Sequence, residues 1–424
     1  MPSLRASAWG LEIVDKARKK KGWTKTMTVA WWEDAYISRA TLRRFWRKLP
    51  IQQDNFIKIC EVVGVSNWKE IAYCSTTEEP EERDLPIVDW GESPAISVFY
   101  GRTQELAKLE KWIVADRCRV ITLLGMPGIG KTALAATLAD GIQDKFKYII
   151  WRSLRYAPPI EDILADLLRF FDSQQETDLP QDTSRQITKL IEYLRSHRCL
   201  LILDEVETIL RTGQPVGHYR DGYDAYGELI RRVAEERHQS CLLLTTQEKP
   251  KEIALLEGET LPVRSLALTG LQEEEAKDIF REKGLSDPNS WGQLIQIYRT
   301  NPLVLKIIAA AVKESFNGRV IEFLRQNTIY LGYISDILDQ QFERLSELEK
   351  EILHRMAIND KPLGISKLRE DIETQVSASE LIYALESLGR RSLIEKIPEE
   401  SELIFTLQPV VMKYVNNRLT SGYR

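Results

Sequence analysis

Gly125-Met126-Pro127-Gly128-Ile129-Gly130-Lys131-Thr132 stands between the apolar run Val120-Ile121-Thr122-Leu123-Leu124 and the helix-forming stretch Ala133-Leu134-Ala135-Ala136-Thr137-Leu138. The eight residues satisfy the spacing G-x-x-x-x-G-K-S/T, and they do so where it has meaning, after a buried strand and before a helix. Gly125, Gly128 and Gly130 allow a tight turn whose N–H groups point inward as an anion-binding concavity. The helix that follows adds the partial positive charge of its first turn. Lys131 is set to reach the β- and γ-phosphates of a nucleoside di- or triphosphate, and the Thr132 hydroxyl to hold Mg²⁺. The expected phosphate-binding residues are therefore Gly125, Gly128, Ile129, Gly130, Lys131, Thr132 and Ala133.

Three more apolar runs alternate with helical patterns: Tyr148–Trp151, Cys199–Leu203 and Cys241–Leu244. Short β-rich runs separated by helices predict a parallel sheet covered on both faces. The run Cys199–Leu203 leads into Asp204-Glu205, two acids at the carboxyl edge where such sheets bind ligands. Asp204 is the expected Mg²⁺ partner beside Thr132, and Glu205 the acid that could orient or deprotonate an attacking water.

The chain has 424 residues, enough for two to four domains, with 43% apolar and 29% charged residues, values typical of a folded globular protein. No apolar stretch is long enough to cross a bilayer, so no membrane association is expected, and no secretory signal is evident. The five cysteines, Cys60, Cys74, Cys118, Cys199 and Cys241, are scattered, and there are only four histidines, so neither disulfides nor zinc are expected and the cytoplasm is. Charge is uneven. Residues 1–50 hold 12 Lys or Arg against 4 Asp or Glu, whereas Glu78-Glu79-Pro80-Glu81-Glu82 is acidic and reads as part of a linker.

The order of motifs resembles the NB-ARC branch of the STAND signalling NTPases, which includes apoptotic protease-activating factors and plant disease-resistance proteins. Phe99-Tyr100-Gly101-Arg102 is similar to the family's opening motif, so the resemblance implies that Tyr100 and Arg102 meet an adenine. Trp151-Arg152-Ser153-Leu154-Arg155 resembles its second-strand motif and Leu242-Leu243-Leu244-Thr245-Thr246-Gln247 its sensor strand. Asn301-Pro302-Leu303 resembles the G-x-P motif, in which the proline packs on the base, and Leu268-Thr269-Gly270-Leu271 fits the start of the small helical domain. The resemblance implies bound ADP or ATP and spans about Phe99 to Leu419, with cyanobacterial members the most alike. Two positions depart from it: Gln247 stands where the family has a γ-phosphate arginine, and Gln408 where it has a histidine on the β-phosphate of ADP. Amides lack the charge that makes phosphate contacts strong, so slow or absent hydrolysis is expected while binding survives.

The expected architecture is multidomain α/β. A helix-turn-helix-like, all-α domain (1–74) and an acidic linker (75–98) precede the P-loop nucleotide-binding domain (99–265), a helical bundle (266–336) and a winged-helix domain (337–424). In the bundle, Leu303, Val304, Ile307, Ile308 and Ala311 form an apolar stripe that reads as core. Leu393–Lys396 and Leu403–Phe405 around Pro398-Glu399-Glu400-Ser401 read as a hairpin. In the first domain, Ile37–Trp46 resembles a recognition helix capped by Ser38, with Leu42 inward and Arg39, Arg43 and Arg44 exposed toward DNA or a partner protein. Three readings stay open: a switch that self-associates on nucleotide exchange and presents its first domain to an effector, a nucleotide-gated transcription regulator, and an energy-using ATPase. Family members usually continue into a ligand-sensing repeat domain, whereas this sequence ends at Arg424, so sensing is expected from a separate partner or from the core itself, or else a sensor has been lost.

Overall fold

The computed structural model describes residues 3–25, 28–72, 86–172, 180, 182–213, 217–359, 361–372, 376–391, 393–398 and 403–420. Cys74 and the Glu78–Glu82 run lie outside the described residues. The chain forms two units, Met1–Leu85 and Pro86–Arg424.

In the first unit, β1 (Ser3–Leu4) is followed by α1 (Ala8–Lys20), α2 (Val29–Asp34), α3 (Arg39–Trp46), β2 (Ile51–Gln52), α4 (Gln53–Val62) and α5 (Trp68–Ile71). Ser7 caps α1 by accepting the Gly10 N–H, and Ser38 caps α3 by accepting the Thr41 N–H. The expectation of an all-α domain misses one pairing: β1 and β2 run antiparallel, Ser3 opposite Gln52 and Leu4 opposite Ile51. Leu42 and Phe45 of α3 are buried with Trp31, Phe56, Ile59 and Ile71. Trp31 meets the edge of Trp46, their centroids 5.6 Å apart. Between α2 and α3, Tyr36 holds the left-handed backbone (φ 51°) that glycine adopts without strain, and its ring is 86% exposed.

The second unit is built on six parallel strands. β3 (Ile87–Asp89), α6 (Thr103–Glu110), β4 (Val120–Leu124), α7 (Lys131–Ile142), β5 (Tyr148–Ser153), α8 (Ile160–Phe171), α9 (Thr183–Ser196), β6 (Cys199–Asp204), α10 (Asp224–Glu235), β7 (Cys241–Thr246), α11 (Lys251–Leu256) and β8 (Val263–Ala267) follow in chain order. The sheet order β3-β5-β6-β7-β4-β8 gives the doubly covered parallel sheet of P-loop NTPases. Alternate residues feed opposite cores: Leu201, Leu203, Leu242 and Leu244 pack under α8–α10, while Leu200, Ile202, Ile121 and Leu123 pack under α6 and α7. That is why these runs are apolar at nearly every position, with Thr122 the exception in β4. Ser153 pairs with Asp204, Leu203 with Leu244 and Leu124 with Thr246, so four strands end level along one edge. The stretch expected as linker supplies an edge strand, because Ile87–Asp89 pairs with Tyr148–Ile150.

Beyond the sheet come α12 (Glu273–Glu282), α13 (Trp291–Tyr298), α14 (Pro302–Phe316), α15 (Val320–Leu324), α16 (Ile334–Glu343) and α17 (Glu347–Asn359). Then follow β9 (Leu363–Gly364), α18 (Ile365–Asp371), α19 (Ala378–Arg390), β10 (Ile394–Pro398), β11 (Leu403–Leu407) and α20 (Pro409–Thr420). β10, β11 and β9 form an antiparallel sheet in that order, and residues 399–402 between β10 and β11 lie outside the described residues. One apolar core runs from Leu271 to Val415 across both expected domains.

Tyr36→Gly should stabilise the first unit by up to about 1 kcal/mol, by relieving the left-handed turn. Denaturant unfolding followed by tryptophan fluorescence measures it. A less stable variant would mean that the exposed ring has a partner worth more than the strain.

Candidate functional site

β4 ends at Leu124, and the chain turns through Gly125 (φ 153°), Gly128 (φ 73°) and Gly130 (φ 99°) before α7 starts at Lys131. Two of these glycines are also pressed from outside. A Cβ on Gly128 would sit 2.4 Å from Leu303 Cβ, and one on Gly125 3.0 Å from the Leu268 carbonyl. Lys131 Nζ folds back to donate to the carbonyls of Gly125 (2.8 Å) and Met126 (3.2 Å). It is only 8% exposed. Burial lowers its pKa, against the opposing pull of the Glu207, Asp204 and Glu205 carboxylates.

Asp204, the last residue of β6, is 4% exposed, and its Oδ1 accepts hydrogen bonds from Thr132 Oγ1 (2.9 Å) and Thr245 Oγ1. Burial raises its pKa, and the two hydroxyls counter that. The sequence-predicted pair Thr132 and Asp204 is thus brought together. Among the described residues no cluster of three or more His, Cys, Asp or Glu side chains could hold a metal ion alone. A hydroxyl and a carboxylate suit Mg²⁺, which keeps several waters and takes its remaining ligands from phosphates.

A cavity of about 330 Å³ opens from this loop. Its floor is Gly128–Ala133, one wall is Ile96, Val98, Phe99 and Tyr100, and the other is Leu271, Pro302, Leu303 and Lys306. The apolar walls suit a planar base and the glycine floor suits phosphates, so the residues present fit a nucleotide. Arg102 reaches the lining, but its guanidinium is engaged. It donates to Glu105 Oε1 (2.7 Å) and to the carbonyls of Ile129 (3.1 Å) and Thr269 (2.6 Å), bracing the loop. Asn301 does the same from the far side. Its Oδ1 caps α14 by accepting the Leu303 and Val304 N–H groups, and its Nδ2 donates to the Pro127 carbonyl (3.0 Å). The Leu303 N–H also points at the Gly128 carbonyl (3.3 Å). Leu303, expected in the core stripe, instead lines the cavity, whereas Val304 and Ile308 are buried.

Other expected residues lie elsewhere. Glu205 has a left-handed backbone (φ 63°), and its carboxylate is held by Arg155 Nε (3.0 Å) and Ser153 Oγ (3.1 Å). Gln247 is not in the cavity lining: its N–H donates to Glu207 Oε2 (3.2 Å), and its side-chain oxygen accepts from Gln341. Gln408 lies in the turn between β11 and α20, where its carbonyl accepts the Met412 N–H, and it too is absent from the lining. Sequence reasoning missed Glu207, Thr245, Lys306 and the capping role of Asn301. The signal for Glu207 is an acid inside Val206-Glu207-Thr208-Ile209-Leu210, where apolar neighbours draw it under cover.

In the first unit, the three arginines are not equally exposed. Arg44 is exposed and donates to the Pro50 carbonyl (3.0 Å), but Arg39 and Arg43 are half-buried. Arg39 lies over the Trp32 ring at 5.6 Å. Burial, with the nearby charges of Arg39 and Arg47, pushes Arg43 down to about 10. A flanking tryptophan covers what helical spacing alone would leave open.

Residues 102–218 match the NB-ARC domain family model. Over 98% of its length the chain is 43% identical to an uncharacterised WD repeat-containing protein of Nostoc sp., of which it covers 36%. Disease resistance protein RPS4 of Arabidopsis thaliana is 21% identical over 70% of this chain and 24% of its own length. The chain therefore spans well under half the length of these curated relatives. Among solved structures, a signal transduction ATPase with a tetratricopeptide repeat sensor from Pyrococcus horikoshii has a TM-score of 0.39 at 21% identity, over 79% of this chain and 44% of that one. No helix among the described residues is long and apolar enough to cross a membrane. Cys60, Cys118, Cys199 and Cys241 are free and buried.

Asn301→Ala should destabilise the second unit by about 1–2 kcal/mol through loss of the α14 cap and the Pro127 contact. Asn301→Ser restores the cap without the reach and should recover part of that loss. Equal unfolding midpoints for all three proteins would remove Asn301 from the support of the loop.

Proposed function

The chain is a member of the NB-ARC family of STAND signalling NTPases, with its NB-ARC domain over residues 102–218, and we propose that it is a switch whose arrangement depends on whether it holds ADP or ATP. One observation carries this reading: buried Lys131 stands at one end of the cavity beside Thr132 and Asp204, which share a 2.9 Å hydrogen bond. In this reading the phosphates lie on the Gly125–Ala133 loop, and Lys131 turns from the loop carbonyls toward the β- and γ-phosphates. Tyr100 and Pro302 flank the base, and Arg102 acts through the loop it braces. Thr132 and Asp204 would hold Mg²⁺, which supplies charge neutralisation on the phosphates when bound.

Hydrolysis is slow or absent in this reading. Gln247 and Gln408 bring no charge to the phosphates, and Gln247 is engaged by Gln341. A nucleotide shifts the switch only if it binds the two arrangements with different affinity. The closed arrangement favours ADP. The open one self-associates through the second unit and presents the first unit to an effector. Half-burial of Arg39 and Arg43 supports a protein partner over DNA, since phosphate contacts need charge at the surface. The repeats in the name of the Nostoc relative support a propeller-type sensor acting on this switch.

Lys131→Ala should weaken triphosphate binding by about 2–4 kcal/mol, because it removes the mobile cation aimed at the phosphates. Calorimetry with ATP and ADP measures it, and unchanged affinities would end the site assignment. GTP competing as well as ATP would refute the adenine preference.

DNA binding by the whole chain should be weak and without a preferred site. A tight preferred site with a steep salt slope in a gel-shift titration would favour the transcription-regulator reading instead.

A further inference from the structure

The turn between α2 and α3 keeps a residue that its backbone disfavours. Tyr36 sits at φ 51°, where glycine would rest without strain, and its ring is 86% exposed, so burial of the ring does not offset that strain. Strain of this sort persists where a function holds it. The surroundings of the ring say which function. Val29 and Trp32 stand three positions apart on α2, turned from Trp31 and Ala35, which are 0% and 1% exposed in the core. Val29 is 42% exposed and Trp32 half-buried, so the outward side of α2 runs apolar into Tyr36. The Tyr36 and Ile37 N–H groups donate to the Glu33 and Trp32 carbonyls (2.9 and 3.0 Å), which ties the turn back onto α2.

Positive charge lies on one flank. Arg39 lies over the Trp32 ring at 5.6 Å. Arg43 and Arg47 follow at four-residue spacing, near enough that burial and the charges of Arg39 and Arg47 together lower the Arg43 pKa. The exposed acids Glu33 and Asp34 sit on α2, but the wider unit is basic, with 12 Lys or Arg against 4 Asp or Glu over residues 1–50. Arg, Trp and Tyr side by side are the composition of interface hot spots. Three kinds of occupant could meet such a face. A DNA duplex offers phosphates to the arginines but little apolar surface to Val29 and Tyr36. A second copy would bring the same excess of positive charge. A protein segment with an apolar residue set among carboxylates satisfies both halves of the face.

We propose that Val29, Trp32 and Tyr36 form a docking face on the first unit, and that its occupant is an acidic protein segment with an apolar anchor, selected by the flanking arginines. That this occupant is the effector rests on the reading of the chain as a switch; the face itself does not.

The test uses the full chain, panned against a displayed library of random peptides, with the affinities of the selected peptides measured by fluorescence anisotropy. Those peptides should be rich in Asp and Glu around an apolar residue. Tyr36→Gly relieves the turn and should fold at least as stably, yet it should bind the selected peptides about tenfold more weakly. Glu33→Lys adds a cation to the outward side of α2 and should bind them more tightly. If Tyr36→Gly does not fold, Tyr36→Asn takes its place, since asparagine also tolerates a left-handed backbone. Selected peptides without acids, peptides that bind Tyr36→Gly as tightly as the natural chain, or no selected peptide at all would each overturn the proposal. So would a labelled DNA duplex or single strand whose binding Tyr36→Gly removes, or a dimer in light scattering that the same variant breaks. If the peptides bind as expected but equally with ADP and with ATP, the docking face stands and nucleotide control of its presentation falls.

Discussion

Lys131 carries a positive charge into a place that water barely reaches, and the surrounding geometry answers that constraint. A buried ammonium needs carbonyls or anions, and here it has the carbonyls of its own loop and the field of three carboxylates. The carbonyls are available because glycines at positive φ turn the backbone over. The loop keeps that shape because Arg102 braces it on one side and Asn301 on the other. Leu303 then fills the space above Gly128, so the side chain missing from the glycine is replaced by one from another helix.

Much of this was legible in the sequence, and the legible part shares one property. The four central strands, the loop and its lysine, Asp204 beside Thr132, and the capped helix at Ser38 all follow from local patterns of burial and backbone need. The edge strands were harder to see. Ile87–Asp89 sits among acids and prolines, and Val263–Ala267 carries Arg264 and Ser265, since an outer strand need not be apolar throughout. Gln247 and Gln408 entered as site residues through resemblance to a family rather than through local chemistry. Gln247 is taken up by Gln341, a partner 94 positions away that no local pattern reveals. The same holds for Arg39 and Arg43, whose exposure depends on where Trp32 and the unit's core fall.

The expected divide between residues 336 and 337 is not a break in packing. Ile334 and Leu338 of α16 share one core with Tyr298 before them and Tyr414 after them. α14 reaches the nucleotide cavity from that core, and Arg344 and Arg391 reach the sheet edge from it. Two points of attachment some distance apart in sequence therefore rest on a common apolar body, and a strain applied at one is borne by side chains that also support the other.

The Arg155–Glu205 pair has a different character from the buried Lys131 charge. Arg155 is 63% exposed and Glu205 28%, so their attraction acts through water and mobile ions. A pair of this kind contributes at most about 1 kcal/mol, even though its 3.0 Å separation lies well inside the roughly 8 Å screening length of physiological salt. The acid beside Asp204 is thus restrained by something close to thermal energy. With so small a restraint, the Glu205 carboxylate exchanges among Arg155, Ser153 and solvent without any rearrangement of the fold.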